Sequence, residues 1–203
     1  LGRRLIALLS HDKFLIGQSK FGFETPFIDS VHRQWRHLQR TADDAPFGAP
    51  QLFAAIGLVY GALSLSGGDK LLEKYLHRIE DLATHLMFRD GGCYSRSPSD
   101  LKDILECFVA LRGAVLERGF ENPQWLQESI SLMASSLLEL RHGDGRLALF
   151  NGGLEDRAEN LDRVLERAGA EPKKELSNPN RSGYQRLAAG ETVLIVESSA
   201  PPA

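Results

Sequence analysis

The segment 51–65, from Gln51 through Phe53, Ile56, Val59 and Leu63 to Leu65, is apolar almost all the way round a helical wheel. A helix with one apolar stripe can lie on a surface, but one that is apolar on every side has to be enclosed by neighbours. The flanking sequence supplies them. Leu5, Ile6, Leu8, Leu9 and Phe14 recur at helical spacing and predict a first helix over 3–16, stopped near Gly17. A loop through Phe21, Gly22 and Phe23 leads to a second helix over 25–40, with Phe27, Ile28, Val31, Trp35 and Leu38 as its stripe. The enclosed segment is then the third helix.

A fourth helix is predicted over 70–88, carrying Leu71, Leu72, Tyr75, Leu76, Ile79, Leu82 and Leu86 on one face. A fifth starts with Ser97 or Ser99 as its cap and Pro98 in its first turn, a position that tolerates proline. Gly119 and Pro123 separate it from a sixth helix that runs to Leu140, and a strongly charged seventh covers 155–168. These helices fall into consecutive pairs with short connections. That pattern is mainly α, an α-hairpin array or an incomplete toroid built from such hairpins, occupying 1–170. Residues 171–181, with two prolines, two lysines and polar neighbours, read as a linker. Strands at 183–187 and 192–197 follow, so 182–203 reads as the opening of a truncated β domain, because two strands alone are marginal.

In an up-down array every second connection lies at the same end. The loops 41–50, 89–99 and 141–153 are the long, charged, glycine-rich ones, and parity places them on one face, where function is expected. In 141–153, Arg141, His142 and Asp144 sit on a glycine-rich bend, a set suited to proton transfer and anion recognition; a plain loop joining a helix to a short strand is the alternative. In 89–99, Asp90, Tyr94 and Arg96 are polar groups on a constrained backbone. Arg33, Arg36, His37 and Arg40 follow the i, i+3, i+4, i+7 rule and form a cationic stripe. The stripe can bind carboxylates or sulfates, or it can be a solvated face paired with neighbouring acids.

Other classes are excluded. The net charge of -3 gives no general footprint for nucleic acid, and no apolar run approaches the roughly 20 residues of a membrane span, so neither a nucleic-acid partner nor membrane insertion is expected. Cys93 and Cys107 are the only cysteines, which removes a disulfide scaffold and a structural zinc site; Cys107 reads as core, and Cys93, in its loop, as exposable. The sequence has no phosphate loop or dinucleotide fingerprint, Asp43-Asp44 is a weak ion signal, and no metal or cofactor is expected. Leu1 lies inside a predicted helix, so the chain reads as cut at its N-terminus and a missing signal peptide carries no information on compartment.

At Asp90-Gly91-Gly92-Cys93-Tyr94-Ser95-Arg96-Ser97-Pro98, and again from Arg141-His142-Gly143-Asp144-Gly145 to Phe150-Asn151-Gly152, the chain resembles the heparinase II/III-like polysaccharide lyases. Ser182-Gly183-Tyr184-Gln185-Arg186-Leu187 with 192–196 is similar to the start of that family's C-terminal β-sandwich. The resemblance implies an α/α toroid followed by the sandwich, whose remainder is the missing partner domain, in the periplasm or cell envelope. It implies an acidic polysaccharide as ligand and β-elimination at a uronate, with His142, Tyr94 and Arg96 as catalytic groups. Arg33, Arg36, His37, Arg40, Arg141, Asp144 and Asn151 would hold the substrate. The family's Asn-His pair is replaced here by Gly48-Ala49-Pro50, and Asp100 stands near where a tyrosine belongs. Those departures leave a non-catalytic glycan-binding or envelope-assembly protein as the alternative, with a structural scaffold that docks a protein as a third.

Overall fold

The computed structural model describes residues 1–17, 22–169 and 182–198. The chain is mainly helical, with a small two-stranded antiparallel sheet near its C-terminus. It divides into two compact units, Leu1–Leu82 with Ala114–Phe120, and Ala83–Gly113 with the residues from Glu121 on. The predicted linker 171–181 lies outside the described residues.

The first unit is built around α4 (Ala49–Ser64), whose residues from Leu52 to Leu63 are all buried. Gly48 precedes it at φ 110°, a backbone that side chains resist, and its carbonyl accepts the first helical bonds from Gln51 and Leu52. Two small residues set how closely the neighbours come. Helix α1 (Gly2–Ser10) crosses α4 glycine to glycine: a Cβ on Gly57 would lie 2.9 Å from the Gly2 Cα, and one on Gly2 would run into the Phe53 carbonyl. Helix α3 (Glu24–Thr41) lays the Trp35 indole flat against Gly61, where a Cβ would overlap the ring. The indole N–H donates to the Leu58 carbonyl at 3.0 Å, so this buried polar atom is satisfied by the helix it packs on. Phe27, Val31, Trp35 and Leu38 are the buried stripe of α3.

Two expectations shift here. Ile28 is 46% exposed and outside the stripe, and the predicted first helix is broken in two, α1 and α2 (Asp12–Gly17). At His11 the backbone leaves the helix (φ -121°, ψ 19°), the imidazole Nδ1 pairs with the Ala7 carbonyl at 3.0 Å, and the Asp12 carboxylate accepts the Lys13 N–H at 2.6 Å. Local side-chain bonds of this kind compete with helix continuation. Phe14, counted as apolar stripe, is consequently 67% exposed. The chain then passes through a short 3-10 turn (Ala42–Asp44), where Asp43 pairs with Arg78 of α5 (Asp69–Leu86) at 2.6 Å. That pairing gives Asp43 a structural role in place of the weak ion-binding signal.

The second unit contains α6 (Pro98–Glu117) up to Gly113, α7 (Gln124–Glu139), α8 (Ala158–Ala168) and the strands β1 (Tyr184–Ala189) and β2 (Thr192–Glu197). Its core is Leu101, Leu105, Phe108 and Leu111 against Leu126, Ile130, Met133 and Leu137, with Phe108 and Trp125 meeting edge to face at 6.2 Å. Helix α8 starts later than the sequence suggests, because the Asp156 carboxylate takes the Arg157 N–H and the Asn160 amide and holds the preceding backbone extended. It ends at Gly169 in the left-handed conformation, and Arg112 donates to the Arg167 carbonyl at 2.6 Å, meeting the negative end of the helix dipole.

The connections after α5 and α7 are copies of one loop. In the first, the Tyr94 N–H bonds to the Leu86 carbonyl, Phe88 N–H to Gly92, and Gly91 N–H to Phe88, with Met87 opposite Cys93. In the second, Ala148 bonds to Leu140, His142 to Arg146, and Gly145 to His142, with Arg141 opposite Leu147. Gly91 (φ 87°) and Gly145 (φ 84°) take the same left-handed place, a tight turn closed by a glycine bulge. The two connections therefore share one loop geometry.

The glycines yield a paired prediction. Gly61→Ala forces the Trp35 ring to move and should cost about 2 kcal/mol in a urea melt, as overpacking does. Gly113→Ala in α6 meets nothing within 4 Å and should leave stability unchanged or raise it by up to about 1 kcal/mol.

Candidate functional site

The two copies of the loop share an acid two residues before the end of the turn. Asp90 accepts the Gly92 N–H at 3.1 Å on one oxygen, and Asp144 accepts the Arg146 N–H at 3.0 Å in the same way. Their second oxygens differ. Asp90 Oδ2 accepts both the N–H and the hydroxyl of Ser182, at 2.8 and 2.7 Å. Among the described residues, Asp144 Oδ2 has only Arg146 Nε, at 3.8 Å. Gly92 leaves room for Ser182, whose Cβ would be 2.6 Å from an added Cβ, and the matching position in the second copy is Arg146. The first copy therefore seats the C-terminal strands and the second does not.

Arg96 and Asn151 belong to the same anchorage. Both have left-handed backbones, φ 49° and 47°, rare outside glycine. Arg96 is 8% exposed and its guanidinium lies 3.5 Å from Glu197 of β2. Its carbonyl accepts the Asn151 amide at 2.8 Å and the Tyr184 hydroxyl of β1. The Asn151 amide also reaches the Glu197 carboxylate at 3.0 Å, and Phe150 packs on the Tyr184 ring at 5.1 Å. Burial, and then the nearby Glu197 carboxylate, push the Tyr184 hydroxyl well above the usual tyrosine range, so it stays protonated as a donor. Arg96, expected as catalytic, and Asn151, expected as substrate-binding, thus spend their hydrogen bonds on the strands. Ser99 adds a further tie, donating to the Leu154 carbonyl and accepting its N–H.

His142 and Asp144 line an open depression of about 310 Å³ with Arg146, Leu147, Leu149, Glu155 and Asp156. Neither Tyr94 nor Arg96 lines it. Three carboxylates face one arginine and one imidazole there, the wrong sign for a polyanionic sugar. Arg141 is turned elsewhere, its guanidinium on the Gly145 carbonyl at 2.9 Å and on Asp162 at 2.7 Å. Tyr94 is 40% exposed. Cys93 is buried rather than exposable: its thiol points inward to the Ser97 carbonyl and Ser95, and burial raises its pKa. Cys107 is half-buried. Among the described residues, no group of His, Cys, Asp and Glu has the arrangement to hold a metal ion.

Arg33, Arg36, His37 and Arg40 stand in the first unit, all exposed on α3. Among the described residues none of these arginines has an ion-pair or hydrogen-bond partner on its side chain, unlike the acid-paired face that was the simpler expectation. Arg33 and Arg36, with Asp29 and His32, line an open depression of about 360 Å³. Loops 89–99 and 141–153 do meet, through Asn151 and Arg96, within the second unit.

No known family model matches the chain, and no solved structure matches it. It is similar to FtsZ-localized protein C of Caulobacter vibrioides (strain NA1000 / CB15N), 27% identical over 202 residues. The match takes in all of this chain and 35% of the relative, so the chain spans about a third of that protein's length. The expected membership of the heparinase II/III-like lyases, and with it β-elimination of uronic-acid polymers, is overturned by these comparisons. Of the residues that carried that resemblance, Asp90, Arg96, Asn151, Ser182 and Tyr184 bond to one another in the seat of the strands.

The anchorage and the second copy differ in a measurable way. Asp90→Ala should release β1 and β2 to hydrogen exchange and cost about 2–4 kcal/mol, since it strands the Ser182 and Gly92 donors. Asp144→Ala loses one turn bond and should cost about 1 kcal/mol. A pH effect comes from Asp156, whose pKa the Lys102 ammonium, and then the Asn160 amide, pull from 3.8 to about 2. A folded-state value below the unfolded one stabilises above the unfolded pKa and is lost as pH falls. Acid titration should therefore remove about 1–2 kcal/mol between pH 4 and pH 2, with solvent screening allowed for, and Lys102→Met should shrink that step, leaving the part held by Asn160 and the Arg157 N–H.

Proposed function

We propose that this chain is a non-catalytic assembly segment of a cell-division-associated envelope protein that localises with FtsZ. The observation that carries the reading is the match to FtsZ-localized protein C along the whole of this chain. The disposition of the reactive side chains supports it: Arg96 and Asn151 are taken up by strand anchoring, and His142 faces carboxylates. In the finer reading of the fold, the repeated hairpins are part of a longer α/α array, and β1–β2 opens a β-sandwich. One face of that strand pair carries Leu187, Leu194 and Val196 exposed to solvent, a set that a second sheet would cover.

The test uses the full-length protein. Fused to a fluorescent protein in its own cell, it should form a band coincident with labelled FtsZ and lose that band when FtsZ is depleted. A uniform distribution in dividing cells would sink the proposal.

A further inference from the structure

Among the described residues, Arg96, Ser97, Ser136 and Ser182 are the buried polar side chains, and three of them have a partner. Arg96 meets Glu197, the Ser97 hydroxyl accepts the Asp100 N–H at 3.4 Å, and the Ser182 hydroxyl donates to Asp90. Ser136, on α7 and 6% exposed, is the exception: its hydroxyl has no hydrogen-bond partner among the described residues. Other serines of the helix bond back one turn, Ser131 to the Gln127 carbonyl at 3.0 Å and Ser135 to the Ser131 carbonyl at 2.8 Å. The corresponding acceptor for Ser136 is the Leu132 carbonyl, and the loop lies over it: a Cβ on Gly91 would be 2.1 Å from that oxygen. A buried hydroxyl with nothing bonded to it is costly, so a folded chain that keeps one calls for a ligand there.

Ser136 lines a cleft of about 20 Å³ between α7 and the strand pair, bordered also by Asp90, Glu139, Ser182, Gln185 and Arg186. Its hydroxyl is not sealed away from that space; the side-chain atom that is both sealed and without a partner is Asn122 Oδ1. The border mixes acceptors with donors. An anion there would meet the carboxylates of Asp90 and Glu139, and a cation would meet the Arg186 guanidinium. Water both donates and accepts, and one molecule needs about 10–15 Å³ of such space, so the cleft takes one and excludes anything larger. We infer that this cleft is the binding site of one ordered water, which accepts the Ser136 O–H and donates towards Asp90 and Glu139. The water is a further tie between α7 and the strands, made through the same carboxylate that holds Ser182.

A crystal structure of the 203-residue chain should show one water within hydrogen-bond distance of Ser136 Oγ. Magnetic relaxation dispersion of the solvent should count one long-lived water that Ser136→Ala loses. By amide hydrogen exchange, Ser136→Ala should speed the Ser182 N–H, which donates to Asp90, about fivefold, as the loss of one net hydrogen bond does. Ser135→Ala, next to it and bonded to its own helix, should leave both the long-lived water and that amide unchanged. Density that shows Ser136 bonded to the Leu132 carbonyl with no water beside it overturns the inference. So does a Ser136→Ala variant that keeps the long-lived water, or one whose Ser182 amide is protected as well as or better than in the wild type, the behaviour expected when a hydroxyl buried with nothing bonded to it is removed.

Discussion

A carboxylate that caps its own turn with one oxygen has the other to give away, and much of the second unit depends on how that oxygen is used. In both copies of the hairpin loop the acid fixes the turn by accepting a backbone N–H two residues on, and a left-handed glycine closes it. The turn geometry is therefore the same in both. What differs is the neighbour: beside Asp90 a glycine lets Ser182 come within hydrogen-bond range, and beside Asp144 stands Arg146, its Nε 3.8 Å from the carboxylate. From that one contact the strands are placed so that Glu197 meets Arg96 and Asn151, and Tyr184 meets Phe150. Two loops of one geometry thus differ in use: one seats the strands and the other faces an open depression.

Three arginines of the second unit hold structure: Arg96 beneath the strands, Arg112 at the end of α8, Arg141 across its own loop. A buried or half-buried guanidinium with several bonds holds a shape and has little left for a ligand. In the first unit Arg33, Arg36 and Arg40 of α3 are exposed, with no side-chain partner among the described residues. The two sets of arginines, alike in sequence, are thus separated by what each one touches.

The helices were largely legible from apolar spacing, since burial of a stripe requires a period that any fold must respect. The all-round apolar segment did become the enclosed helix, α4. The break at His11 was not legible, because Phe14 continues the period while the polar groups of His11 and Asp12 end the helix locally. The charged groups of 89–99 and 141–153 were legible as special and not as to purpose. Glycine, aspartate and arginine on a bend are the materials of a binding loop and equally of a self-bonded turn, and composition does not distinguish them. The repeat was present in the sequence as Asp90-Gly91 and Asp144-Gly145, too short a match to stand out without its hydrogen bonds.

By itself, then, the sequence determined most of the helical segments and the two strands, because these follow from local periodicity, though not the break at His11 or the start of α8. Only the tertiary structure decided which oxygen of Asp90 meets Ser182, that Arg96 lies buried beside Glu197, and that Arg33, Arg36 and Arg40 are exposed with no side-chain partner among the described residues. Those outcomes depend on distances between residues far apart in the chain, and a hydrogen bond or an ion pair exists only when packing brings both partners to within a few ångströms.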